Sequence, residues 1–308
     1  MIGRGELCAL LAPLAWSAAV VFFKRASVVA PMSLNLFKNS VAVVLLLATM
    51  AIAGISVPVD RSAGDWARLI GSGLIGLALG DTLIFGALAR IGAARLAVVD
   101  TVYAPLVVLL AWAFLGETPR ASFLVGAIAV LGGIAIASYA RAPVEGGGVA
   151  GAASAPAPEA DGKERVTGTL LALGAIACTA VGVVLAKPAL GSGHLVEITC
   201  TRLVAGVVGQ LAWVVVRGEG ARAAEAFRPG GPWRALLPGA VIGTYLALML
   251  WLGGFAWADA SVAAVLNQFA TIYILVFARV FLGERLQPRQ VAGSLLAAAG
   301  AAWIVVGR

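Results

Sequence analysis

Leu115-Gly116-Glu117 and Leu282-Gly283-Glu284 are one tripeptide written twice, 167 residues apart, and the agreement extends outward from it. At the same offset Gly126 meets Gly293 and Gly133 meets Gly300. Further upstream the offset becomes 163, with Lys24 against Lys187 and Ala42 against Ala205, so the loop before the eighth apolar run is about four residues longer than its partner. The third and eighth runs align as Ser72-xxx-Gly76-xxx-Gly80 against Gly239-xxx-Gly243-xxx-Ala247, a seam of small residues that lets helices approach closely in lipid. A repeat this long, covering nearly the whole chain, marks a duplicated unit.

The 308 residues are 61% hydrophobic and 12% charged, and the mean hydropathy is +0.98. A soluble fold has too little interior to hide that much apolar surface. Runs long enough to cross about 30 Å of hydrocarbon need about 20 residues each. The sequence holds ten of them, at 6–24, 32–54, 67–90, 93–115, 121–140, 166–188, 196–217, 233–257, 260–282 and 289–307. The first run has a counterpart in the second half and is followed by Lys24-Arg25, so it is read as a retained helix rather than a signal peptide. Residues 141–165 are rich in Gly, Ala, Pro and Ser, the composition of a flexible aqueous linker. The expected organisation is therefore a first repeat over 1–140, a linker over 141–165 and a second repeat over 166–308. Five crossings per repeat is an odd number, so the second copy enters the membrane upside down. The fold class is an all-α polytopic membrane protein of ten transmembrane helices in two inverted five-helix repeats.

Composition and motifs exclude several classes of function. The net charge of +7 comes from basic residues placed singly in turns, not from a stripe that would track nucleic acid. Cys8, Cys178 and Cys200 lie in apolar runs without CxxC spacing, and His194 is the only histidine, so no metal set and no cofactor is expected. HExxH, GxSxG and phosphate-cradling loops are all missing from the sequence, which gives no reason to expect an enzyme. Abundant Arg, Ala and Gly fit a GC-rich bacterial genome and hence a bacterial inner membrane.

Ionisable groups inside a span cost roughly 2.5 to 3.5 kcal/mol each and so need a reason. Lys38, Asp81, Asp100 and Arg202 lie well inside, with Arg279 near an end where it can snorkel. Runs three and four turn near Ile91, and Asp81 and Asp100 each stand about nine residues from that turn, level at roughly 13 Å depth. Lys38 enters from the same side, giving a candidate Lys38, Asp81 and Asp100 cluster. Two acids against one base leave a spare carboxylate, and like charges held close in low dielectric do not both stay ionised, so one acid can carry a proton. A plain neutralising pair between helices is the alternative. In the second half Asn267 replaces Asp100, with Gln268 beside it, and Arg202 has no acid at its own depth; it can meet a substrate carboxylate or phosphate, or pair with Glu197 or helix-end carbonyls. Trp16, Tyr103, Tyr245, Trp251 and Tyr273 can supply rings and hydroxyls to a cavity or simply pack. Pro105 removes a mid-span backbone bond. Glu117 and Glu284 stand before runs five and ten and are read as caps for those helices.

These residues resemble the drug/metabolite transporter superfamily, and its EamA-type ten-helix members in particular. The resemblance rests on Gly80-Asp81-Thr82, on Phe85 through Ala93 (FGALARIGA), on Tyr103-Ala104-Pro105 and on the repeated LGE. It implies a secondary transporter that moves a small molecule by alternating access, with a cavity lined by helices 1 to 4 and 6 to 9 and with helices 5 and 10 peripheral and able to form a homodimer. Tyr103-Ala104-Pro105 becomes Ala270-Thr271-Ile272 in the second half, so one half is expected to carry more of the binding. A scaffold or a lipid flippase on the same fold is the alternative. The resemblance implies cytoplasmic termini, whereas counting Lys and Arg in the loops places the termini outside.

Overall fold

The computed structural model describes residues 2–26, 29–139, 162–270, 272–273, 276–277, 280 and 288–306, and all regular structure among them is helical. The first half runs through α1 (Arg4–Arg25), α2 (Pro31–Ala53), α3 (Ala63–Gly73), α4 (Gly80–Asp100), α5 (Tyr103–Leu115) and α6 (Ala121–Tyr139). The second runs through α7 (Gly162–Ser192), α8 (Leu195–Arg217), the short α9 (Gly220–Ala223), α10 (Trp233–Ala240), α11 (Ala247–Trp257), α12 (Ala260–Asn267) and α13 (Pro288–Val306). Helix α7 starts within the stretch read as linker, at Gly162.

Among the described residues seven helices are long and apolar enough to cross a membrane, so the chain is a multi-pass membrane protein. The ten runs do not map one to one onto these seven. Run four is interrupted at Thr101-Val102 and run nine at Gln268-Phe269, where the backbone makes a turn instead of a helical step. Positions 101 and 268 are equivalent in the repeat, so both halves break the same helix at the same place. The third helix of each half is also deformed alike: π-helical turns occupy Leu74–Leu79 and Val241–Leu246, again 167 residues apart. Helical bonding continues past Ile91 to Asp100. The chain nonetheless reverses there. Gly80 lies against Ala175 and Thr179, Gly168 lies against Ile91, and α5 returns along α7 so that Asp100 and Tyr103 share a cavity with Asp81, Ile84, Ile176 and Thr179. Nineteen residues of straight helix would instead separate Asp81 from Asp100 by about 28 Å.

Equivalent helices of the two halves pack on one another in a reciprocal pattern. Helix α6 crosses α13 with Gly126 against Gly300 and Gly133 against Gly293. A Cβ added at Gly133 would stand 2.5 Å from the Gly293 carbonyl oxygen, and one at Gly300 would stand 2.7 Å from that of Gly126. Gly126 thus meets the copy of Gly133 and Gly133 the copy of Gly126, the self-complementary arrangement of a twofold axis perpendicular to the helices. The same exchange recurs where Gly5 meets Ala258 and Gly168 meets Ile91. The small faces of α6 and α13 are used within the chain, and their large apolar side chains, among them Ile128 and Trp303, point outward.

Several polar contacts between the halves lie at the helix ends. Glu117 caps a helix, but one of the other half: it accepts from Ala260 N (2.8 Å), Ser261 N (3.1 Å) and Ser261 Oγ (2.9 Å) at the start of α12. The loop that joins α2 to α3 sends Arg61 to Glu197 in the first turn of α8, where a two-pronged ion pair is closed at 2.7 Å and buried on both sides. The corresponding loop of the second half reaches α2: Glu225 accepts from Ala30 N at 3.0 Å, and Ser33 Oγ bridges Ala223 O and Ala226 N, each at 2.7 Å. In each half, the loop after the second helix steadies the start of the other half's second helix.

Candidate functional site

A cavity of about 240 Å³ lies between the halves, bordered by the two π-helical turns and by both helix breaks. Its position follows from those irregularities, because an interrupted helix frees backbone groups that only protein or water can satisfy at membrane depth. The freed Asp100 carbonyl accepts from Gln268 Nε2 at 3.1 Å, so the break of one half is bonded to the break of the other.

Seven of the nine residues singled out from the sequence border the cavity: Trp16, Lys38, Asp81, Asp100, Tyr103, Asn267 and Gln268. Arg202 and Tyr245 do not. Arg202 is buried one layer behind the wall, where Nε donates to Ser72 Oγ at 2.7 Å and the guanidinium stands 5.9 Å from the ring of Trp251, itself a cavity residue. Neither Glu197 nor a helix-end carbonyl holds it; Glu197 is taken by Arg61. Tyr245 turns away and shares a 2.8 Å hydrogen bond with Thr49. Tyr273 packs on Phe269, with centroids 6.2 Å apart. Arg279 and Glu284 lie outside the described residues.

The charged groups are not paired as a triad. Lys38 Nζ donates to Asn39 Oδ1 at 3.0 Å, and although Lys38 and Asp81 attract each other electrostatically, no ion pair joins them. Asp81 is held by amides: Asn35 Nδ2 donates to its Oδ2 at 2.8 Å and Gln210 Nε2 at 3.4 Å. Gln210 Nε2 also reaches Leu77 O within the first π-helical turn, and Asn39 Nδ2 bonds both Gln210 Oε1 and Asn35 Oδ1. The sequence reading missed Asn35, Asn39 and Gln210 because it weighed the neutral amides only where they stood at the repeat counterpart of Asp100. Their signal was present: Asn35, Lys38 and Asn39 have the i, i+3, i+4 spacing of one face of α2 in an otherwise apolar run.

Other polar groups at the cavity have no hydrogen-bond partner among the described residues. Trp16 Nε1, Tyr103 Oη, Thr244 Oγ1 and Asn267 Nδ2 are buried without a hydrogen bond, as is Arg202 Nη1 just behind them. Asp100 lines the same space. Leaving a buried donor or acceptor unmade costs about 1–3 kcal/mol, so several gathered around one cavity mark a surface built for a polar guest. Trp16, Trp251, Leu203, Leu248 and Ile176 supply its apolar walls.

The model of the EamA-like transporter family matches the chain twice, over residues 3–139 and 166–306. Among curated proteins none matches. A solved crystal structure that is 21% identical superposes with a TM-score of 0.75, covering 98% of this chain and 96% of the other, and so shares its fold. With a family match to each half and a duplicated helical architecture around one central cavity, the chain belongs to the EamA-like transporter family.

Proposed function

We propose that the protein is a secondary active transporter that carries a small amphipathic zwitterion through the central cavity by alternating access. Its ten crossings form two inverted five-helix halves that rock about the cavity. The observation that carries this reading is the sorting of unpartnered groups around it. Trp16 Nε1 and Asn267 Nδ2 can only donate, and Lys38 adds a cation, so the guest brings an anionic or strongly accepting end. Asp100 can only accept while ionised, so the guest, or a proton in its place, brings the positive end. The ring-lined walls receive an apolar body. A scaffold that had lost transport has no use for orphan donors around a cavity.

The test is uptake into proteoliposomes of zwitterionic, cationic and anionic amphiphiles of one size, with and without an imposed pH gradient. The wild type is expected to prefer the zwitterion and to accumulate it with the gradient. Asp100→Asn is expected to keep exchange but lose accumulation. Undiminished gradient-driven accumulation by Asp100→Asn refutes the coupling role, and uptake of none of the three classes refutes the substrate class.

A further inference from the structure

The second half holds a positive charge in the protein interior with no acid beside it. Arg202 lies within α8 and is 2% exposed. A close approach of two helices delivers it: the backbone of α3 at Gly73 lies against the Arg202 carbonyl, where a Cβ would not fit, and this sets the neighbouring Ser72 beside the guanidinium. Ser72 Oγ gives its own proton to Gly182 O, so its lone pairs are left to receive Arg202 Nε. Nη1 has no acceptor, and among the described residues no acid forms an ion pair with Arg202. An uncompensated buried charge costs several kcal/mol, so a chain that keeps one has a counter-ion or a use for it.

The repeat supplies an internal control. By the offset of 163 the first half has Asn39 at this position, and by the offset of 167 Gly239 stands in place of Ser72. Asn39 is neutral, and protein groups serve both ends of its amide: Nδ2 bonds Asn35 and Gln210, and Oδ1 accepts from Lys38. The fold therefore does not require a cation at this place. The second half adds one, together with the hydroxyl that aims it.

Tyr103 stands close by. It is 8% exposed, it borders the cavity, and its hydroxyl has no hydrogen-bond partner among the described residues. It is also the titratable group that acts most on Arg202. A negative charge beside the Tyr103 hydroxyl is drawn by Arg202 and repelled by Asp100, which sets its place on the Arg202 side. A hydroxyl donor and a fixed guanidinium N–H with no acid of their own are the materials of an anion site. Trp16, Lys38 and Asn267 already serve the acidic end of the guest, and Arg202 stands behind the wall, so the ion suited to this place is small.

We propose that Tyr103 Oη and Arg202 Nη1 bind a small free monovalent anion of the halide class, with Ser72 holding the guanidinium in position. The carboxylate of a guest shares this chemistry and is the competing source. The subsite adjoins the cavity assigned above to transport but does not depend on transport: binding is read on purified protein without a guest, so its failure leaves the transport reading standing, and failed uptake leaves the subsite standing.

The experiment follows thermal unfolding of the full-length protein in detergent, at one pH and one ionic strength, with sodium as the cation and chloride, acetate or the bulky sulfonate MES as the anion. Chloride at about a hundred times its dissociation constant is expected to raise the unfolding temperature of the wild type by several degrees over MES. Arg202→Met is expected to lose this shift. Tyr103→Phe, which removes one hydrogen bond to a charged group and nothing else, is expected to keep it with about ten-fold weaker chloride affinity. Tyr245→Phe, the same change at a tyrosine bonded to Thr49 away from the cavity, is expected to leave the chloride affinity as in the wild type. Should Arg202→Met not fold, Tyr103→Phe against Tyr245→Phe decides. A chloride shift that is absent from the wild type, or the same in Tyr103→Phe as in Tyr245→Phe, overturns the proposal. Stabilisation by acetate and not by chloride overturns the free-ion assignment and gives the place to the guest's carboxylate.

Discussion

At the crossing of α6 and α13, two neighbouring glycines have opposite surroundings. A Cβ at Gly133 would lie 2.5 Å from Gly293 O and 2.6 Å from Ala297 N, both backbone atoms of the facing helix, while a Cβ at Gly132 meets nothing within 4 Å. Both gain the same helix propensity on conversion to alanine, about 1 kcal/mol in favour of the folded state. Only Gly133→Ala adds the cost of forcing a methyl group between packed backbones, about 1–3 kcal/mol, so the two variants separate by that packing cost. Gly300→Ala, whose Cβ would sit 2.7 Å from Gly126 O and 2.8 Å from Val130 N, should fall with Gly133→Ala, because the two positions exchange under the pseudo-twofold axis. Unfolding in mixed micelles, followed by loss of helical signal against denaturant, gives the three stabilities. Equal stability of Gly132→Ala and Gly133→Ala, or a Gly300→Ala that behaves like Gly132→Ala, would show that the helices do not cross in this antiparallel register.

Two further outcomes follow from contacts between the halves. Glu117→Gln keeps the size of the cap but loses the charge behind three hydrogen bonds to Ala260 and Ser261, and should lower stability by about 2 kcal/mol in the same unfolding assay; a neutral result would mean that α12 is capped by other means. Arg202→Lys keeps the charge but loses the planar group that bonds Ser72 and lies over Trp251, and should raise the apparent KM for uptake by about five-fold while leaving the maximal rate; an unchanged KM would detach Arg202 from the cavity wall.

The duplication was legible because it is written in small residues and in LGE, whose spacing survives divergence. Membrane spanning was legible because bilayer thickness sets helix length. The break at Thr101-Val102 was partly legible, since Pro105 removes the helical bond to the carbonyl of Thr101 four residues before it; the break at Gln268-Phe269 was not, since Ile272 stands where a proline would give it away and hydropathy is blind to a single missed hydrogen bond. Glu117 was read as a cap from its place before an apolar run. That it caps α12 instead of α6 is a tertiary fact that only the closeness of the halves decides. Arg202 illustrates the same limit: its depth was clear, but whether a long side chain ends in the cavity or behind its wall depends on Ser72 and Trp251, which stand 130 residues before it and 49 residues after it.

In the proposed cycle, symmetry of the scaffold restricts where coupling can reside. Two identical inverted halves that exchange conformations would pass between states of equal energy related by the twofold axis, so nothing in them could distinguish one side of the membrane from the other. The π-helical turns, the helix breaks and the glycine crossings are equivalent in both halves and so cannot bias the exchange. The polar residues are the ones that differ. Asp100 stands opposite Asn267, and by the same offsets Asp81 corresponds to Leu248, Asn39 to Arg202 and Tyr103 to Ala270. A ligand or proton shifts an equilibrium only by its differential affinity for the two states, and these unlike pairs are where such a difference can arise. The symmetric elements therefore supply the motion, and the asymmetric residues around the cavity supply its direction.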